Sequence, residues 1–206
     1  YSLSREFDTA GNVTNETVNG VSTSFTYDGQ GNVASKTFPR ALRHTYSSHY
    51  RGIPRSESQP EGVSISRTVS GAGNVTAETN GDGRTTQYGY DGLNRITSIT
   101  PPTGSSISVS YGANSRRSTR GSLGEAITYN AFGQPTQHVL GGITRNFTVD
   151  SLGRRTFESN PGASAGTSFT YDALDRLTTA RNPDSTTRSI TYGAGSRTVQ
   201  DERGNS

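Results

Sequence analysis

Any chemistry in this chain has to come from few residues. Of 206 residues, three are histidine and none is cysteine. His44 and His49 stand five apart, and His138 lies far from both. A zinc site needs three or four ligands converging with defined spacing. Neither a cysteine nor a nearby carboxylate pair completes one here, so the three read as ordinary strand or loop histidines. Serine and aspartate are abundant enough to supply a Ser-His-Asp set by chance, and no nucleophile-elbow pattern occurs. No catalytic residue, metal ligand or cofactor-binding residue is therefore assigned, and no enzyme activity or cofactor is expected. Asn80-Gly81-Asp82-Gly83 lacks the alternating acidic positions and the final glutamate of a calcium loop and reads as a hairpin turn. With no helix apparent, no glycine-rich phosphate loop leads into one. Asn12-Val13-Thr14, Asn15-Glu16-Thr17, Asn74-Val75-Thr76 and Asn146-Phe147-Thr148 match the glycosylation acceptor pattern, as a threonine-rich chain does by chance.

The elements that would position any site follow from composition. Hydrophobic residues make up 28% of the chain, and Leu, Ile, Val and Phe together number only 34. That is too few for an ordinary compact core, and with high net charge it would indicate disorder. The net charge is only +3, so the expectation is an ordered structure whose apolar residues form a thin layer. Serine and threonine supply 57 residues and glycine 25, a composition of pleated surfaces and turns. The basic residues are 19 arginines and the single Lys36, spread along the chain. Nucleic-acid binders concentrate theirs on one face, so no nucleic-acid partner is expected. No apolar run reaches the roughly 18 residues of a membrane span, and no signal peptide is visible.

A repeat organises the whole sequence. Phe25-Thr26-Tyr27 alternates as a half-buried strand does. Asp28 can accept hydrogen bonds from a following turn, and Gly31 can take a positive φ there. The same stretch returns at Tyr90-Asp91-Gly92-Leu93-Asn94-Arg95-Ile96-Thr97 and at Tyr171-Asp172-Ala173-Leu174-Asp175-Arg176-Leu177-Thr178. The turn position recurs at Asp8, Asp28, Ser47, Ser70, Asp91, Gly112, Asn130, Asp150, Asp172 and Gly193, at intervals of 18 to 23 residues. Repeats of that length mean an array or solenoid.

Two columns run beside it. Three residues past the turn start stand residues tolerant of a left-handed backbone: Gly11, Gly31, Gly73, Asn94, Gly133, Gly153 and Asp175. Ser115 and Ser196 break that rule, so those two turns are expected to differ. Two residues before the turn, Thr or Ser fills eight of ten places (Thr26, Thr45, Thr68, Ser110, Thr128, Thr148, Thr170 and Thr191), with aromatic or apolar neighbours. One face of the sheet is thus expected to be aromatic and the other hydroxyl-bearing. Aromatic rings can stack on sugars, but packing between repeats is the plainer use. The third unit fits the register best with two residues inserted before Gly52.

A second set of turns lies between units, as at Asn19-Gly20, Gly141-Gly142 and Asn182-Pro183-Asp184, and Asn-Gly between alternating strands is a strong hairpin signal. The expected fold is all-β: an antiparallel hairpin meander of about 20 strands over residues 1–206, a single array of about ten units. At about 4.8 Å per strand a flat sheet of that size would be roughly 95 Å wide. Open twisted sheets rarely exceed about ten strands without curling, so a spiral, curved wall is expected. The final Asp201-Glu202-Arg203-Gly204-Asn205-Ser206 reads as a further inter-unit turn, and the sequence as a piece of a longer array.

The repeated Tyr-Asp-x-x-Gly-(Arg or Asn)-apolar-Thr pattern resembles the YD repeat of the RHS family, a family of bacterial polymorphic toxins, toxin-complex shells, wall-associated proteins and teneurins. Tyr27-Asp28…Gly31-Asn32-Val33, Tyr90-Asp91…Arg95-Ile96-Thr97, Asp150…Gly153-Arg154 and Tyr171-Asp172…Arg176-Leu177-Thr178 carry the likeness. The resemblance implies a strand spiral that builds a hollow shell, often around a C-terminal toxin domain, and a secreted or cell-surface location. The implied partners are the remaining repeats of a parent protein and an enclosed toxin domain. An adhesive module that binds glycans or self-assembles through strand edges is the alternative. The self-cleaving segment of toxin-bearing relatives is not matched, since Asn182-Pro183-Asp184 reads only as a turn.

Overall fold

The computed structural model describes residues 1–205. These fold into twenty β-strands, with no helix beyond the single 3-10 turns Pro39–Ala41 and Pro60–Gly62. The chain packs as two units, Tyr1–Ser106 and Ile107–Ser206.

The first unit holds β1 (Leu3–Phe7), β2 (Val13–Val18), β3 (Val21–Tyr27), β4 (Val33–Phe38), β5 (Leu42–Ser47), β6 (Ser56–Ser58), β7 (Ser64–Val69), β8 (Val75–Thr79), β9 (Thr85–Tyr90) and β10 (Ile96–Thr100). Each strand pairs antiparallel with the next in sequence. The second unit repeats the plan with β11 (Ile107–Gly112), β12 (Ser115–Arg120), β13 (Leu123–Tyr129), β14 (Pro135–Leu140), β15 (Ile143–Val149), β16 (Arg155–Ser159), β17 (Gly166–Tyr171), β18 (Leu177–Arg181), β19 (Thr187–Gly193) and β20 (Ser196–Gln200). The expected all-β meander is thus the observed one.

Strand alternation sets the two faces. Along β3, Thr23, Phe25 and Tyr27 are half-buried while Ser22, Ser24 and Thr26 are exposed. The same rhythm holds for Ile65, Arg67 and Val69 on β7. Burial is shallow throughout. Ile190 is the one buried apolar residue among those described, and the deepest side chains are Ser35 and Ser159. With so little apolar burial, ladder hydrogen bonds and specific side-chain joints have to define the register.

The threonine column has a structural cause. In seven hairpins the second strand carries one extra residue just after the turn: Thr14, Ala34, Thr76, Thr97, Thr136, Thr156 and Thr178. The result is a β-bulge, which bends the strand and increases its right-handed twist. Six of the seven bulged residues are the threonine that closes the repeat motif; four of them, Thr76, Thr136, Thr156 and Thr178, face a threonine of the column across the hairpin, while Thr14 and Thr97 face Glu6 and Gly89. Thr148 Oγ1 lies 2.9 Å from Thr156 Oγ1, and Thr170 Oγ1 lies 2.8 Å from Thr178 Oγ1. Thr76 and Thr136 hydroxyls donate instead to the carbonyls of Thr68 and Thr128. Where Ala34 occupies the bulge, Thr26 turns to Ser35 at 2.7 Å.

Candidate functional site

The recurring element is a joint that draws on three kinds of side chain, combined differently from hairpin to hairpin. The first is the residue that opens the turn. Asp28 Oδ1 accepts the backbone N–H groups of Gln30 and Asn32, and both Asp28 oxygens accept the Asn32 amide. The backbone closes around it, with Gly31 N donating to Asp28 O and Asp28 N to Asn32 O. Asp8, Asp91, Asp150 and Asp172 make the same turn, and Asn130 makes it with an amide oxygen. The residue at the fourth place has a positive φ, from +60° at Asn94 to +88° at Gly73. Hydrogen bonds hold these aspartates below the usual carboxylate range. The Asn12 and Asn32 amides lead for Asp8 and Asp28, the backbone N–H of Arg95 for Asp91, and the guanidinium groups of Arg154 and Arg176 for Asp150 and Asp172.

The second member reaches forward. Asn74 donates to Asn94 Oδ1 at 2.7 Å, Gln134 to Gly153 O at 2.8 Å, and Arg154 to Asp175 Oδ1 at 2.7 Å. These residues share the fifth place of the turns that open at Ser70, Asn130 and Asp150. The sequence marks that column by its long polar donors, but spacing alone does not disclose that they cross to the next turn.

The third member reaches back. Tyr27, Tyr90, Tyr171 and Tyr192 stand just before their own turns. Their hydroxyls donate to the carbonyls of Val13, Val75, Arg155 and Leu177 at 2.7, 2.8, 2.8 and 3.1 Å. Each acceptor lies directly after the preceding unit's turn. Arginines cover two of these rings, Arg154 over Tyr171 at 4.8 Å and Arg176 over Tyr192 at 4.2 Å, an attraction between cation and ring face.

The turns set apart by sequence do differ. Gly112 pairs with Ser115 and Gly193 with Ser196, each closing a two-residue hairpin without the bulge. Tyr129 follows the first of these, and among the described residues its hydroxyl makes no bond of the clamp kind. Conversely, two turns read as inter-unit connections use the main turn's chemistry. Asn80 Oδ1 accepts the N–H groups of Asp82 and Arg84, and Asp201 Oδ1 those of Arg203 and Asn205. Asn80-Gly81-Asp82-Gly83 is therefore closed on itself as a hairpin. At the third place of several turns an apolar side chain stands in solvent: Leu93, Phe132, Leu152 and Leu174 are 73%, 88%, 68% and 71% exposed.

The histidines are not brought together. His44 lies 3.4 Å from Glu57, His49 3.4 Å from Asp28 and His138 3.1 Å from Glu125. Among the described residues no cluster of three metal-ligating side chains forms. Glu57 anchors a network that sequence reading missed. Its carboxylate meets Arg67 at 3.2 Å and Gln59 at 2.7 Å, and Arg67 continues to Glu78 at 2.7 Å. Burial pushes the Glu57 carboxyl up, and the bonds from Gln59, Arg67 and His44 more than offset it, leaving it below its ordinary value. The signal was the first acidic residue after a long acid-free stretch.

The third unit departs from the repeat as its sequence anticipates. Ser47 pairs with Ser56, and residues 48–55 make an excursion closed by a small Tyr50–Ile53 hairpin around Arg51 and Gly52. The excursion and the sheet border an open cavity of about 350 Å³ lined by Phe25, Asn32, Val33, Lys36, Tyr46, His49, Gly52 and Pro54.

The RHS repeat model matches residues 7–41 and 70–106. No curated protein matches the sequence significantly. Among solved structures, TcdB2-TccC3 without its hypervariable C-terminal region aligns over 93% of this chain with a TM-score of 0.58 and 13% identity. TcdB2-TccC3 and the Photorhabdus luminescens Tc holotoxin pore each align over 92%, with TM-scores of 0.52 and 13% identity. The chain spans only 13 to 14% of the length of these chains, and the likeness is one of fold.

Proposed function

We propose, for a chain that carries RHS repeats at 7–41 and 70–106, that it is a non-catalytic stretch of a longer RHS array, part of a curved wall that encloses or presents another domain of an exported protein. The observation that carries this reading is the joint. The tyrosine and aspartate that would draw notice as site residues are engaged with the backbone of their own or the preceding hairpin. Bulges in seven of the hairpins add twist along the array, which is how a long open sheet becomes curved. The twenty-residue period also continues in sequence from Asp91 through Gly112, which favours a single array. The exposed Leu93, Phe132, Leu152 and Leu174 suit a wall whose rim packs against other parts of a parent protein.

The test is electron cryo-microscopy of the parent polypeptide with its natural flanking sequences. The expected image places this segment in a wall around density for a further domain. An open ribbon with all other domains outside it, or growth into fibres, replaces enclosure with a surface or filament role.

A further inference from the structure

Tyr46 holds the clamp position of the third unit, just before Ser47. By the pattern of the other units its hydroxyl should donate to the carbonyl of Val33, the residue directly after the Asp28 turn. Among the described residues it has no hydrogen-bond partner. Burial raises the Tyr46 hydroxyl above its ordinary pKa, with the Glu57 charge adding to the effect. Both Tyr46 and Val33 line the cavity under the 48–55 excursion, so the cavity lies where the joint is left open.

Lys36, the chain's only lysine, lines the same cavity. Its ammonium stands over the rings of Phe25 and Phe38 at 5.5 and 4.7 Å and has no carboxylate partner among the described residues. Of the ring-stacked arginines, Arg154, Arg155 and Arg176 are each paired with an aspartate or glutamate, and Arg55, over Tyr50, donates to the Ser48 carbonyl. The carboxylate at the rim, Asp28, is held by its turn and by His49. The surroundings are cationic as well. Between Asp28 and Glu57 there is no acidic residue, but there are Lys36, Arg40, Arg43, Arg51 and Arg55, so this stretch carries +5 and the rest of the chain −2 against a net of +3. A cavity of about 350 Å³ with an apolar lining and a few convergent polar groups is of ligand size.

We propose that the cavity between β4, β5 and the 48–55 excursion binds a carboxylate borne on an apolar body. The carboxylate takes the Lys36 ammonium and the Tyr46 hydroxyl, and the apolar part rests on Phe25, Val33 and Pro54. The ligand is a small organic acid or the carboxyl end of a peptide, which offer the same chemistry. This assignment is independent of the wall reading.

Reductive methylation with a ¹³C label makes Lys36 the single labelled side chain, and its signal is followed during titration. The probes are phenylacetate, phenylacetamide, and a Gly-Gly-Phe peptide with a free or an amidated C-terminus. Phenylacetate is expected to give a saturable shift, with phenylacetamide at least about tenfold weaker. A matching response to the free-ended but not the amidated peptide identifies a peptide end as the source, and its absence a small acid. Backbone amide shifts at Phe25 and Val33 follow binding in the variants. Lys36→Met is expected to bind at least about tenfold more weakly, and Tyr46→Phe about threefold or more, with melting of Tyr46→Phe unchanged. Equal response to acid and amide, no saturable shift from either acid up to about 10 mM, or undiminished binding by Lys36→Met overturns the assignment.

Discussion

The Tyr171 hydroxyl donates to the carbonyl of Arg155 at 2.8 Å, sixteen residues back along the chain. A single side chain thus fastens one hairpin to the one before it, and the same bond recurs from Tyr27, Tyr90 and Tyr192.

Replacing Tyr171 by Phe keeps the ring under Arg154 and removes only that bond. Stability is expected to fall by about 0.5–1.5 kcal/mol in urea denaturation. Tyr46→Phe, where the hydroxyl has no partner among the described residues, is the internal control and leaves the midpoint in place. An equal loss at both positions would count against the clamp.

The turn aspartates make the array acid-sensitive. Their carboxyls are held below the ordinary range in the folded chain, so the folded state binds protons less readily than the unfolded one. The stabilisation is therefore complete above the unfolded value near 4 and is lost as pH falls through the folded values. Melting temperature is expected to drop steeply below about pH 4. Asp172→Asn retains an acceptor of the kind Asn130 uses and should melt above Asp172→Ala while losing part of the pH dependence. Identical melting of the two variants would remove the Oδ1 role.

Gly166 opens β17 against Glu158 and Ser159. A Cβ placed there meets the Glu158 carbonyl oxygen and the Ser159 Cα, both backbone atoms that cannot swing aside. Gly166→Ala is expected to cost about 1–3 kcal/mol and to release the β16–β17 ladder, read as faster amide exchange from Phe157 to Ser168. Gly29→Ala, with no atom within 4 Å of the added carbon, serves as the tolerated comparison.

Glu57 is 9% exposed and shares Arg67 with Glu78. Glu57→Ala strands the Arg67 guanidinium on one side and is expected to lower stability by about 1–3 kcal/mol. Glu57→Gln keeps an acceptor and should lose less, as compared by chemical denaturation.

Period and turn chemistry made the fold legible. Asp28 with Gly31, and Asn19-Gly20 with its positive φ at both residues, are local signals whose geometry is fixed within five residues. Ser115 and Ser196 announced the two divergent hairpins because neither suits the left-handed place that Gly31 fills. What lay beyond reading were links between residues of neighbouring units. Tyr27 to Val13 and Gln134 to Gly153 depend on which carbonyl of the neighbouring hairpin comes within reach, and that is settled only once strands are paired. The separation of the two turn classes failed at Asn80 and Asp201 for the opposite reason. Side-chain oxygen, two N–H groups and a left-handed fourth residue make the same turn on either edge of the sheet. The cavity at Lys36 stayed hidden because its lining is gathered from β3, β4, β5 and the 48–55 excursion, which only the folded chain brings together.

The reach of each tyrosine is a single hairpin, and that sets how a disturbance spreads. Coupling runs from neighbour to neighbour, as in a chain of zipper teeth, so hairpins can be gained or lost over generations without redesign of distant ones.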